Sequence, residues 1–268
     1  MNVIKLMGGI GNQLFQYAFG RVQSLNGIQV YYDDSWFTHP TRKRRLDVRW
    51  PRPYRLDKFQ LNIPYSPQLE GQEVVNEERT GFDMKLLKKD NCYFIGYWQY
   101  LPYYKDYLPI LRKDFWLSRS VLTKEYYTFA SQIIKEQSIS VHVRRGDYTI
   151  QKGFHDLPFS YYLRGLRALN KKGVLFVFSD DISWCRAKFQ EDFFESEVIF
   201  VDLEDYLCFE LMKLCKYHIT SNSTYSYWVA LLSGNPTVCP MHWLWEKDMD
   251  TKEMRFPKEW IKVEDYAV

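Results

Sequence analysis

The segment SISVHVRRGDY, residues 138–148, runs from small and apolar residues straight into His142, Arg144, Arg145 and Asp147. Arginine is the side chain best suited to a phosphate: it is always charged, planar, and able to donate two parallel hydrogen bonds. Side chains alternate along a strand, so Ile139, Val141 and Val143 share one face while His142 and Arg144 share the other. Arg144 then stands at the strand's carboxyl end, with His142 just behind it and Arg145 leaning the opposite way. Gly146 permits a sharp exit, and Asp147 is placed to orient an arginine. The competing reading is an Arg–Asp pair that only caps a strand.

Three further polar clusters fall at comparable places. In SNSTYSYWVALL, Ser221, Asn222, Ser223 and Thr224 precede a helix with the apolar stripe Tyr225, Trp228, Val229 and Leu232. Hydroxyls and free N–H groups at a helix start suit an anion, or they simply cap the helix. In FSDD, Asp180 and Asp181 close a strand, where an acid accepts hydrogen bonds from a ribose or from the N–H pair of guanine, or caps the next helix. In GGIGNQ, Gly9 and Gly11 let backbone approach a ligand, but position 14 is Leu, so the dinucleotide pattern G-x-G-x-x-G is incomplete. No metal is expected: His39, His142, His155, His218 and His242 are scattered, and no HExxH occurs. The nucleophile elbow G-x-S-x-G and the phosphate loop of P-loop kinases are missing too.

These groups need elements to hold them. NVIKL (2–6), the glycine loop (7–13), the helix LFQYAFGRVQSL (14–25) and IQVYYDD (28–34) read as strand, loop, helix, strand. Five prolines between Pro40 and Pro67 predict irregular structure and short helices over 36–90. NCYFIGYWQY (91–100) is a strand pattern, and 103–117 reads as a helix kinked at Pro109. From 121 onward helices and strands alternate, with strands at 138–143, 173–181, 197–203, 218–223 and 236–240. This rhythm predicts α/β architecture: two Rossmann-like domains facing a cleft, residues 1–136 and 137–268, with ligands at the carboxyl ends of parallel strands.

The chain has 268 residues, with 36 Lys and Arg against 33 Asp and Glu, a net charge of +3 that gives no reason to expect nucleic acid as a partner. The basic run TRKRRLDVRWPRPYR (41–55) is either a solvated loop or a contact for an anionic ligand or membrane surface. Five cysteines without a CxxC pair point to a reducing compartment. No apolar run approaches the roughly 18 residues of a membrane span, and the start lacks the apolar stretch of a signal peptide. The expected location is cytoplasmic, with any contact at the inner membrane face peripheral.

Taken in order, GGIGNQLFQYAFG (8–20), GYWQYLPYYKD (96–106), LRKDF (111–115), HVRRGDY (142–148), FSDD (178–181) and LMKLCKYHITSNSTYSYW (211–228) resemble the bacterial α-1,2-fucosyltransferases of glycosyltransferase family 11. The resemblance implies a GT-B-type fold and metal-independent, inverting transfer of fucose from GDP-fucose to a galactose-containing glycan, at its 2-hydroxyl. It implies that Arg144 contacts the diphosphate, that Arg145 and Asp147 support it, and that His142 with Asp180 or Asp181 holds guanosine. Ser223 and Thr224 would cap the diphosphate, with Ser221 and Asn222 also binding the donor, and Asn12, beside Gly9 and Gly11, would reach the fucose. His155, Asp156 and Asp147 are the candidates for a general base. The acceptor would stack on aromatics such as Trp98, Tyr100 and Tyr103. Two other readings stay open: a nucleotide-sugar or glycan-binding protein without catalysis, and a fucosyltransferase of α-1,6 linkage.

Overall fold

Short runs rich in β-branched and aromatic residues pair into two sheets, each wholly parallel. Parallel neighbours cannot be joined by a tight hairpin, so the intervening chain must cross over, mostly as helix. The computed structural model describes residues 1–38, 52–150, 156–190, 196–242 and 255–266. The chain divides into two compact units, Met1–Ser118 and Arg119–Val268. The helix Lys124–Lys135, expected to close the first domain at residue 136, lies in the second unit and packs on the helix Asp205–Leu214.

The first unit has four strands: β1 (Asn2–Lys5), β2 (Val30–Asp33), β3 (Glu73–Asn76) and β4 (Cys92–Ile95), ordered β2-β1-β4-β3. Strand β3 was not foreseen among the prolines of 36–90. Between β1 and β2 runs the helix Ile10–Leu25, buried over most of its surface. Phe15 and Phe19 supply one apolar ridge, and Phe19 stacks on Trp98 at 4.5 Å. Gly20 lets the helix lie directly on the sheet: a Cβ there would sit 2.7 Å from the Tyr32 hydroxyl. Pro109 does not kink a long helix. It starts a short one, Leu108–Asp114, where a missing N–H costs nothing.

The buried helix also carries three glutamines, Gln13, Gln16 and Gln23; the first two hydrogen-bond the backbone of loops, and Gln23 bonds the Leu86 carbonyl and the Asn2 side chain. Gln13 donates to the Gly8 and Pro53 carbonyls, each at 2.9 Å, and accepts from the Arg55 N–H at 2.8 Å. Gln16 accepts from the Met7 N–H at 2.9 Å and donates to the Gly96 carbonyl at 3.0 Å. Buried loop backbone must be paired with something, and these amides do it. Past β4 the chain turns sharply. Trp98 has φ of 56° and is fully buried, as is Tyr103, so neither is a surface for stacking a sugar. The Glu77 carboxylate holds this turn, accepting from the N–H groups of Tyr97 at 2.5 Å and Trp98 at 2.9 Å.

The second unit has six strands: β5 (Ser138–Val143), β6 (Val174–Ser179), β7 (Val198–Val201), β8 (Tyr217–Ile219), β9 (Thr237–Pro240) and β10 (Ile261–Val263). Their order is β10-β9-β8-β5-β6-β7. Strand β10, from the tail after residue 240, was not anticipated. The chain builds outward from β5 through β6 to β7, then returns to the other side of β5 to lay β8, β9 and β10. Ile139, Val141 and Val143 face a core shared with Tyr161, Tyr162, Leu169, Val177 and Ile219. The opposite face of β5 is buried as well, and its polar side chains are paired: Ser140 bonds Nδ1 of His218 at 2.7 Å, and Nε2 of the same ring bonds Ser233 at 2.8 Å. All five cysteines are buried and free.

Removing the Glu77 carboxylate should unpin the turn that carries Trp98 and Gln99. Glu77→Ala is expected to lower stability by about 2 kcal/mol, the scale of hydrogen bonds to a charged acceptor. Urea denaturation checks it: the midpoint should fall with an unchanged slope. A midpoint equal to that of the parent would mean the turn holds itself.

Candidate functional site

In the second sheet the chain reverses direction between β5 and β8, and such a switch leaves a crevice outside the carboxyl ends of the two strands. The HVRRGDY and SNST segments leave β5 and β8 at this point, and FSDD leaves the neighbouring β6. Three of the four polar clusters read from sequence therefore come together on one sheet edge.

His142, near the end of β5, bridges the crevice: its Nδ1 bonds the Ser221 hydroxyl at 2.8 Å, and its ring packs on Tyr225. Burial, with the Arg144 charge adding to it, pushes this imidazole down to about 3. It is a neutral hydrogen-bonding group. Ser223 caps the helix Thr224–Ser233, its hydroxyl accepting from the Tyr225 N–H at 3.3 Å, and Thr224 opens the first turn half-buried. Asn222 is buried, and its carbonyl accepts from the Tyr148 hydroxyl at 3.2 Å.

Arg144 leaves β5 between two carboxylates. It pairs with Asp147, which is almost wholly buried, and with Asp180 at 2.8 Å, and it lies over the Tyr148 ring. Arg145 turns away from it. Its Nε reaches Asp181 at 3.2 Å, its Nη1 reaches Asp156 at 2.6 Å, and its guanidinium stacks on Trp184 at 4.4 Å. Asp180 joins the two arginines, because its other oxygen accepts from the Arg145 backbone N–H at 2.9 Å. Asp181 also caps the helix Ile182–Lys188 through the Trp184 N–H at 3.0 Å. The ion-pair reading of this motif is thus present within the site reading, since four carboxylates hold two arginines.

The arrangement divides the expected roles. Arg144, about one-quarter exposed, is the guanidinium held at the crevice, while Arg145 is tied into its own pairs. Asp147 and Asp156, both candidate bases, are bound to Arg144 and Arg145 respectively. His155, the third candidate, lies outside the described residues, as does the basic run from 41 to 51.

The fourth cluster belongs to the first unit and sits at the carboxyl end of β1. Gly9 caps the helix Ile10–Leu25 with open space around its Cα, and Gly11 lies buried in the first turn. The glycine that the turn requires is Gly8, which sequence reading passed over: its φ is +80°, and a Cβ there would meet the Asn12 Nδ2 at 2.7 Å. Asn12 Oδ1 accepts from Gln99 Nε2 at 3.0 Å, which leaves its Nδ2 as a donor with a set direction. Gln99 was also missed. Its signal was only its place after a strand, in a stretch read for its aromatics. Among the described residues no group of three His, Cys, Asp or Glu side chains is arranged to hold a metal ion. No helix among them is long and apolar enough to cross a membrane.

Comparison with known proteins gives a family and a fold. The family model described as Glycosyl transferase family 11 matches residues 1–264. An alpha-1,2-colitosyltransferase of Escherichia coli is 30% identical, with 98% of each chain covered. The galactoside alpha-(1,2)-fucosyltransferase 1 of Bos taurus is 24% identical over 86% of this chain and 66% of its own. Among solved structures, a family 9 glycosyl transferase from Veillonella parvula superposes with a TM-score of 0.50 at 12% identity, covering 100% of this chain and 87% of that one. The fold is GT-B-like: α/β, with parallel sheets in two domains.

The buried imidazoles give the protein a pH signature. Burial holds His142 and His218 down to about 3, against about 6.5 in an unfolded chain. Between these values the unfolded state binds protons that the folded state refuses, so stability falls as pH is lowered from 6.5 toward 3. Each histidine contributes at most about 1.4 kcal/mol per pH unit. Urea denaturation at pH 7 and pH 5 should show the loss, and His218→Asn should reduce it. An equal loss in parent and variant would contradict the assignment.

Proposed function

The chain belongs to glycosyltransferase family 11, and from that premise we propose that it transfers L-fucose from GDP-fucose to the 2-hydroxyl of a galactoside, with inversion and without a metal ion. The observation that carries this reading is Arg144, held by Asp147 and Asp180 at the β5 exit, beside the capped start of the helix Thr224–Ser233. Breaking the bond between the sugar C1 and the diphosphate leaves positive charge on the sugar and gathers negative charge on the leaving group. A fixed guanidinium and oriented helix N–H groups stabilise that negative charge without reorganising. Arg144 and the turn from Ser221 to Thr224 take this task. Arg145 and Asp147 hold Arg144 in place, directly or through Asp180. His142, kept neutral, and Asp180 or Asp181 face the guanosine. Asn12, oriented by Gln99 beside the open Gly9 and the buried Gly11, takes the part of a hydrogen-bond donor toward the fucose.

A second reading concerns the donor alone. The 30% identical relative is named for colitose, which is fucose without its 3-hydroxyl, and for the same α-1,2 linkage. One missing hydroxyl changes discrimination by a large factor only if the site hydrogen-bonds that hydroxyl. Peripheral attachment of the basic run to an anionic membrane, and a cytoplasmic site of action, belong to this proposal as well.

Purified protein supplied with GDP-fucose and a panel of galactosides should release GDP and form an α-1,2-linked product, with no loss on adding a chelator. Preference for GDP-colitose over GDP-fucose would replace the donor, and an α-1,6 product would replace the linkage. Arg144→Ala should lower kcat about a thousandfold, and Arg144→Lys should restore little, because lysine lacks the planar fork. Full activity of Arg144→Ala would sink the site assignment.

A further inference from the structure

The transfer must dispose of the proton of the acceptor's hydroxyl, and the two described carboxylates expected from sequence as bases already have partners. Asp147 and Asp156 are bound to arginines. His142 is buried against Ser221, and His218 is enclosed between Ser140 and Ser233. Another histidine stands on the same sheet edge. His242 follows β9 by two residues, and Asp265 follows β10 by two residues. Nδ1 of His242 lies 2.7 Å from Asp265 Oδ1, and the His242 backbone N–H donates to Oδ2 at 2.9 Å. Asp265 is fully buried, whereas the His242 side chain is one-fifth exposed.

This pairing fixes a tautomer. A carboxylate only accepts, so Nδ1 carries a hydrogen, and in the neutral ring the lone pair is then the one on Nε2. The ring is held further by packing on Tyr266, and Arg164 donates to the Glu264 and Tyr266 carbonyls on either side of Asp265. The Met241 N–H donates to the Val263 carbonyl at 2.9 Å, joining the two strand exits. A buried carboxylate orienting a part-exposed imidazole is the arrangement of a general base.

Its place on the sheet edge fits that use. Along adjacent strands the exits carry, in order, the acids Asp180 and Asp181 after β6, Arg144 after β5, the hydroxyls of 221–224 after β8, and His242 with Asp265 after β9 and β10. Acids suit the nucleoside, and arginine with hydroxyls suits the diphosphate. On the transferase reading the sugar of the donor would lie toward the exit of β9, which is two strand spacings, or about 10 Å, from β5.

We infer that His242 is the catalytic base of the transfer and that Asp265 is its positioning residue, an inference that rests on the transferase reading above. The acceptor oxygen bonds to C1 of the sugar, the bond from C1 to the diphosphate oxygen breaks, the hydroxyl proton goes to Nε2 of His242, and GDP leaves with the bonding pair.

Azide separates a base from a merely structural histidine. It attacks C1 and releases GDP without giving up a proton, so it needs no base. His242→Gln should lower kcat with a galactoside by a factor of about one hundred or more. GDP binding by calorimetry should stay within about twofold, and azide-dependent GDP release should match the parent. Asp265→Asn should act the same way, less severely, because its amide no longer selects the tautomer. His242→Asn, which keeps a donor toward Asp265, replaces the glutamine variant if that one does not fold. Parent-like kcat with the galactoside overturns the inference, and so does parallel loss of the galactoside and azide reactions. The parent protein scores the wider reading separately: if it is inert with both GDP-fucose and GDP-colitose, that reading fails and this inference fails with it.

Discussion

One topological constraint governs the second unit. Its sheet is wholly parallel, so every strand ends at the same edge, and the reversal of strand order beside β5 opens that edge between β5 and β8. Groups far apart in sequence meet there for that reason alone. His142 and Ser221, separated by 79 residues, share a hydrogen bond across the opening. Arg144 and Asp180 come from adjacent strands that run in register for six residues, from Ser138 beside Val174 to Val143 beside Ser179. The apolar face of β5 fixes this register, because a slip of one residue would turn Val141 and Val143 out of the core.

Within that frame, electrostatics sets each group's state. A guanidinium partly withdrawn from water needs counter-charge, and Arg144 has it from Asp147 and Asp180. Its positive charge also helps to keep His142 neutral. A neutral imidazole bonded to a serine can sit inside the sheet edge at little cost, whereas an imidazolium there would repel Arg144. The same logic separates the twin arginines. Arg145, stacked on Trp184 and tied to Asp156 and Asp181, is a strut of the edge.

Much of this was legible in the sequence because it follows from local pattern. The alternation of β5, the helix start at Ser223 and the strand ends at Asp180 and His142 are all signalled within a few residues of themselves. What escaped depends on contacts between distant segments. Strands β3 and β10 are four and three residues long, and only their neighbours make them strands. The role of Gly8 comes from the position of Asn12, and Gln99 acquires meaning only because the turn pinned by Glu77 brings it to the same residue. Trp98 and Tyr103 looked like surface aromatics, but their burial follows from stacking on or against Phe19 of a helix read as core from the start. Asp265 lies in a tail without periodic pattern, and its burial against His242 has no local signal.

The charges at the β5 exit bear on how an anion is received there. Four carboxylates, Asp147, Asp156, Asp180 and Asp181, surround two arginines, so the cluster carries a formal excess of negative charge. A diphosphate cannot simply be added to it, since like charges in a partly dry site repel strongly. Asp147 is too deeply buried to leave without stranding a charge. Asp156 and Asp181 are bound to Arg145. Asp180 is the carboxylate shared between Arg144 and a backbone N–H, and giving up its bond to Arg144 still leaves it one partner. Phosphate oxygens taking its place on Arg144 would free one oxygen of Asp180 to accept a hydrogen bond from the nucleoside end of the same ligand. For the nucleotide-sugar donor of the proposed function, phosphate and nucleoside recognition would then be coupled through a single side chain. In this scheme a nucleoside without its phosphates meets Asp180 still occupied by Arg144.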